Sequence, residues 1–160
     1  MTKPDDQAPG HTRREFCAQA CQAASFVAVG ALTGCGGSQT SPSAVSVTPA
    51  PTVSGTVTGR VVSVALDSAT ALSAVGAAVL VQTTLGSFLV AHTGQDTYTA
   101  LTSTCTHEAC VVTGFSGGRY TCPCHGSQYT TSGAVINGPA TRALAQFPTQ
   151  VSGTTLTFTV

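Results

Sequence analysis

The stretch Cys105-Thr106-His107-Glu108-Ala109-Cys110 is followed, after Val111 to Thr121, by Cys122-Pro123-Cys124-His125-Gly126-Ser127-Gln128-Tyr129. Each of the two flanks holds two cysteines and one histidine. The segment between them reads as a β-hairpin turning at Gly117-Gly118, the residue type that tight hairpin turns require. A hairpin returns its two ends to one place, so both flanks meet at one tip and can build a metal site from two loops. Spacing alone leaves several chemistries open. Two cysteines and two histidines make a tetrahedral zinc site. The same four make a two-iron cluster with thiolates on one iron and imidazoles on the other. Two structural disulfides beside two incidental histidines are the plainest alternative. If four residues bind metal, two cysteines are left over, and in an exported protein these can pair.

Outward from the tip, the chain reads as short strands. Thr56 to Leu66, Ala78 to Thr83, Ser87 to His92 and Tyr98 to Leu101 are rich in Val, Thr and Leu. Gly86, Gly94 and Gly114 punctuate them, as turn residues do. Near the end, Leu156, Phe158 and Val160 alternate with Thr155, Thr157 and Thr159, the period of a half-buried strand. Ser152-Gly153 before them marks a turn. No long segment has a 3.6-residue period. The expectation is an all-β, antiparallel domain over residues 56–160. His92 has no cysteine near it in sequence and reads as an ordinary strand or turn residue.

Composition narrows the function classes. The chain has 160 residues, with six Lys plus Arg, six Asp plus Glu and a formal net charge of zero. Nucleic-acid binding needs a basic patch and is excluded. Charge-driven disorder is excluded too, because 42% of residues are hydrophobic, enough to bury a core. Seven cysteines are many for this length.

The N-terminal third carries processing signals. Thr12-Arg13-Arg14-Glu15-Phe16 precedes an uncharged, weakly apolar stretch, Cys17 to Gly34. That stretch is too polar for a membrane span, which wants about 20 strongly apolar residues. Residues 1–34 read as a signal peptide, and Arg13-Arg14 resembles a twin-arginine signal, which exports folded proteins. Leu32-Thr33-Gly34-Cys35 resembles a bacterial lipoprotein box, which implies cleavage before Cys35 and lipid on it. Residues 35–55, rich in Ser, Thr, Gly and Pro, read as a flexible linker. The mature chain would keep Arg60, Arg119 and Arg142 against Asp67, Asp96 and Glu108, still neutral.

The two flanks of the hairpin closely resemble the signature boxes of Rieske iron–sulfur proteins. Gly138-Pro139-Ala140 resembles the glycine-proline loop of the same family. The resemblance implies a small antiparallel β sandwich with a two-loop cluster-binding tip and a [2Fe-2S] cluster as cofactor. It implies that Cys105 and Cys122 ligate one iron, that His107 and His125 ligate the other, and that Cys110 and Cys124 form a disulfide. It assigns Ser127 and Tyr129 as hydroxyl donors to the cluster sulfurs. Two ferric ions, two sulfides and two thiolates sum to zero charge, against −2 for a four-cysteine cluster. Adding an electron to the neutral cluster costs less, which agrees with the raised Rieske range of about −150 to +300 mV. Hydrogen bonds to sulfur raise the potential further, so its upper half is expected. Imidazoles that keep a free N–H couple electron uptake to proton uptake.

The expected function is one-electron transfer by an exported, lipid-tethered protein in the bacterial periplasm or at the cell surface. Its partners would be redox proteins: a cytochrome c, a b-type complex or a molybdenum enzyme. The alternatives are a Rieske subunit of a quinol-oxidising bc-type complex or of an arsenite-oxidase-like molybdenum oxidoreductase, and a zinc-holding structural domain. In bc-type members the residue after the first-box histidine is commonly leucine, followed by glycine. Here Glu108 and Ala109 stand there, and a carboxylate at that place favours water or a cationic partner over a quinol pocket.

Overall fold

The computed structural model describes residues 44–67 and 69–160. Arg13, Arg14 and Cys35, with the signal and lipidation readings that rest on them, lie outside the described residues, as do Cys17 and Cys21.

The strands, in order, are β1 (Thr52–Ser54), β2 (Thr56–Thr58), β3 (Val61–Ala65), β4 (Ala78–Thr83), β5 (Gly86–Gly94), β6 (Thr97–Thr102), β7 (Gly114–Ser116), β8 (Arg119–Thr121), β9 (Gln128–Thr130), β10 (Val135–Asn137), β11 (Gln146–Phe147), β12 (Thr149–Ser152) and β13 (Thr155–Thr159). A single 3-10 turn, Thr70–Leu72, is the only helical element among the described residues. The all-β expectation is correct. All pairings are antiparallel except β1 with β4, which is parallel.

Three sheets form. The central one has the order β1-β4-β5-β6-β11, and two four-stranded sheets have the orders β12-β13-β3-β2 and β10-β9-β8-β7. The central strands are apolar on both faces because both faces are covered. Val79, Val81, Phe88, Val90 and Ala100 pack with Val62, Val64, Leu156 and Phe158 in one core. Their neighbours Ala78, Leu80, Leu89, Ala91 and Leu101 pack with Tyr120, Tyr129, Cys105 and Cys122 in the other. The strand period of two thus sorts one sheet's side chains into two cores. The second core reaches the cysteine-bearing loops.

The terminal strand follows its alternation: Leu156 and Phe158 are buried, and Thr155 and Thr157 half-buried. The strand expected over Thr56 to Leu66 divides in two, because Gly59 sits at φ 61° and turns the chain. Gly117 and Gly118 have φ of 57° and 71°, the pair of positive values that a two-residue primed hairpin turn demands.

The linker expected over 35–55 is corrected at its C-terminal end. Ala50 is buried, Thr52 to Ser54 pair with Leu80 to Gln82, and the Val45 N–H donates to the Pro123 carbonyl at 2.7 Å. Residues 44–55 therefore belong to the folded body. Their Ser, Thr and Pro content imitates a linker, but Ala50 and Val53 supply the apolar contacts.

Candidate metal centre

The two boxes fold into loops of the same construction. In the first, the Cys105 N–H donates to the Cys110 carbonyl at 2.8 Å and the Ala109 N–H to the Cys105 carbonyl at 2.9 Å. In the second, the Cys122 N–H donates to the Ser127 carbonyl at 2.9 Å and the Gly126 N–H to the Cys122 carbonyl at 3.0 Å. Each loop is closed at its neck by strand-like pairing: Thr104 bridges Val111, and Thr121 faces Gln128 between β8 and β9. The fifth residue of each loop has a positive φ, 56° at Ala109 and 74° at Gly126.

A left-handed backbone strains alanine but not glycine. Relief of the left-handed strain contributes about 1–2 kcal/mol and the extra freedom glycine gives the unfolded chain takes back about 0.4–1 kcal/mol, so Ala109→Gly is expected to stabilise the protein by about 0.5–1 kcal/mol net. Thermal unfolding checks it, and a lower midpoint would contradict the strain.

A disulfide joins Cys110 to Cys124 and fastens one loop to the other. Cys105 and Cys122 are free and buried. The His107 and His125 rings lie outside them, 5.0 Å apart between centroids and edge to face; His107 is exposed and His125 half-buried. The donor set left open at the tip is thus two inner thiols and two outer imidazoles. That division suits a cluster whose inner metal takes sulfur and whose outer metal takes nitrogen.

The polar surroundings favour thiolate at the inner position. Burial raises the Cys105 thiol, but hydrogen bonds from the Tyr129 hydroxyl, the His107 backbone, Cys122 and Ser127 outweigh it and hold the group below its ordinary value. Burial, with the neighbouring Cys105, pushes the Cys122 thiol up. Two thiols this close do not both ionise easily without a cation between them.

Tyr129 is wholly buried, with its hydroxyl 3.2 Å from Cys105 Sγ. The Thr106 N–H donates to the same hydroxyl oxygen at 3.3 Å. Thr106 Oγ1 is 3.1 Å from it and gives its own proton to the Arg142 carbonyl at 2.6 Å. Thr106 Oγ1 can then only accept, so the tyrosine proton has two acceptors, Thr106 Oγ1 and Cys105 Sγ, of which an ionised sulfur is the stronger. Burial, then Cys105, raises the phenol, so it stays a donor. Ser127 is fully buried, and its Oγ accepts the Ala140 N–H at 3.0 Å, which fixes the hydroxyl beside the inner cysteines. Gly138-Pro139-Ala140 thereby meets the second box.

Thr106 was within the quoted box but carried no expected role. Its signal was a hydroxyl between two metal-binding residue types, and its partner is a backbone carbonyl, which no side-chain pattern reveals. Glu108 is exposed, and its Oε2 lies 3.6 Å from His125 Nδ1. The carboxylate faces a ring of the other box as well as water. His92 is apart from the tip: in β5, its Nδ1 donates to the Leu72 carbonyl at 2.9 Å, and its ring stacks on Tyr98.

Comparison with known proteins places the chain in a family. Residues 59–148 match the family model of the Rieske [2Fe-2S] domain. The chain belongs to this family, whose cofactor is a [2Fe-2S] cluster. A cytochrome b6-f complex iron-sulfur subunit of Cyanothece sp. is 47% identical over 60 residues, 37% of this chain and 34% of that protein. The corresponding subunit of Synechococcus sp. is 40% identical over 72 residues, 44% of this chain and 42% of that protein. The matched stretches therefore span well under half the length of these relatives. Among solved structures, the plasma membrane Rieske protein of Synechocystis PCC 6803 is 34% identical, with 52% of this chain and 86% of that chain covered and a TM-score of 0.47.

Proposed function

We propose that this protein carries single electrons through a high-potential Rieske [2Fe-2S] cluster, with Cys105 and Cys122 on one iron and His107 and His125 on the other. The observation that carries the reading is the pair of free buried thiols beside two adjacent imidazoles, on loops fastened by the Cys110–Cys124 bridge. When bound, the cluster takes up and returns one electron. The chain's own residues set how readily. Tyr129 and Ser127 present hydroxyls toward the inner sulfurs, stabilising added negative charge. The imidazoles stand toward solvent, where a partner can approach, and Glu108 adds the nearest carboxylate. The disulfide keeps the loops from separating.

Tyr129→Phe removes one hydroxyl donor and leaves the ring. A hydrogen bond to a charged group contributes about 1.5 kcal/mol, and one electron moves about 59 mV per tenfold change. The midpoint potential is expected to fall by about 60 mV in voltammetry. An unchanged midpoint would show that the hydroxyl does not act on the cluster.

The protein is proposed to be exported by its twin-arginine signal and held at the cell envelope by lipid on Cys35. Among the described residues, no helix is long and apolar enough to cross a membrane. Because the folded body begins by residue 45, the tether from Cys35 to Val45 spans at most about 35 Å, at roughly 3.3–3.6 Å per residue. The described chain enters beside Pro123, in the second box. The partners are proposed to be a cytochrome c, a b-type complex or a molybdenum enzyme reached at the cell envelope. Lysines in place of Arg13 and Arg14 are expected to strand the protein in the cytoplasm; normal export would refute the route.

The second reading is a subunit of a quinol-oxidising bc-type complex, favoured by the b6-f subunits that this chain matches. Glu108 speaks against it, because a carboxylate at the tip is costly to bury in an apolar quinol pocket. Reduction of the protein by quinol in isolated membranes separates the two: the carrier reading expects none without added donor protein.

A further inference from the structure

The segment 45–50 has no assigned role, yet it makes more specific contacts than a tether needs. Its Val45 N–H donates to the carbonyl of Pro123, the residue between Cys122 and Cys124. Thr48 accepts the Phe115 N–H at 2.8 Å, and the Ala50 N–H donates to Thr113 at 2.7 Å. Pro49 bridges Gly114 in antiparallel fashion. The segment thus lies along β7, the edge of the sheet that carries the second box, and covers backbone groups an edge strand would leave open.

Two glycines make room for it. A Cβ on Gly114 would stand 2.7 Å from Val47 Cβ and 2.9 Å from the Thr121 carbonyl, so only glycine lets Val47 lie this close. A Cβ on Gly126, inside the second loop, would stand 3.3 Å from Val45 Cγ2. At its other end the segment is fixed by Ala50, buried in the core that holds Cys105 and Cys122, and then by β1 paired to β4. It is therefore held in the central sheet and reaches across to the second loop.

We infer that residues 45–50 are a strap that holds the second box in position, so that the chain leading from the anchor is part of the cluster-binding structure. The strap supplies the Pro123 carbonyl with its donor and packs Val45 over Gly126. This keeps the backbone between Cys122 and His125 from opening. Its consequence for cluster retention rests on the proposed ligand roles of Cys122 and His125; its effect on the loop does not.

The test compares Val45→Pro, which deletes the N–H, with Val45→Ala, which keeps it, in the full chain. Hydrogen exchange is read at the Gly126 amide, and loss of cluster absorbance is followed in excess chelator. Val45→Pro is expected to speed exchange at Gly126 by about fivefold, the factor one net hydrogen bond contributes, and to shorten the cluster lifetime in proportion. Val45→Ala should stay closer to the parent, and exchange at Val90 and Leu156 should change less than twofold. If Val45→Pro does not accumulate, Val47→Ser makes the same comparison through the contact on Gly114. Equal exchange at Gly126 in parent and variants would overturn the strap. So would acceleration spread evenly over β5 and β13, which would make the segment a general stabiliser. A chain that never binds iron would fail the cluster reading, while exchange in the metal-free protein would still decide the strap.

Discussion

Cys122→Ser protein, made under conditions that give the parent its cluster, is expected to be colourless and to hold less than about a tenth of the parent's iron. Serine is close in size to cysteine, so the buried site keeps its packing. What changes is the ligand: an alcohol is a harder and far weaker donor to an iron–sulfur cluster than thiolate. Among the described residues Cys122 has no substitute, because the sulfurs outside the expected ligand pair, Cys110 and Cys124, are bound to each other. The same loss is expected for Cys105→Ser. The backbone pattern of each loop does not involve the sulfur, so the metal-free variant should retain its β-sheet circular dichroism. A Cys122→Ser protein with two irons per chain would remove Cys122 from the ligand set.

The second large effect concerns the bridge. Replacing Cys110 and Cys124 together with alanine is expected to cost about 3 kcal/mol, the value chain-entropy arguments give for a loop of about 15 residues. The sequence separation of the pair is 14. The loss should not be spread evenly. The bridge is the covalent tie between the two boxes, so its removal should free the loops first. Cluster loss in chelator should quicken well before the β4–β5 amides exchange faster. Denaturant unfolding measures the first effect and hydrogen exchange the second. Unchanged stability would mean that the strap and the buried tyrosines already hold the loops.

Much of the site was legible because its chemistry needs rare residue types at fixed spacing. Cysteine and histidine in two short boxes around a Gly117-Gly118 turn left few arrangements, and the structure brings both boxes to one tip. The fold class followed from Val and Thr runs cut by glycine. The parallel pairing of β1 with β4 was not legible, since three residues carry too short a pattern to show direction. The strap was read as linker because Ser, Thr and Pro look alike whether they are solvated or lie along a sheet edge. What gave it structure was the partner strand, whose glycine at 114 admits it. Thr106 escaped because its contribution runs through backbone groups. The approach of Glu108 to His125 joins two boxes and needs the hairpin to be closed before it exists. The two-core arrangement of the central sheet was visible only as unbroken apolar runs such as Ala78 to Val81, which alternate faces once both faces are covered.

The proposed [2Fe-2S] cluster sits at the tip on two thiolates and two imidazoles. It is tested most directly by metal analysis of purified protein together with electron paramagnetic resonance after dithionite reduction. The expected result is red-brown protein with two irons per chain, no zinc and a rhombic signal from the reduced cluster. Colourless protein with one zinc per chain and no such signal would contradict it.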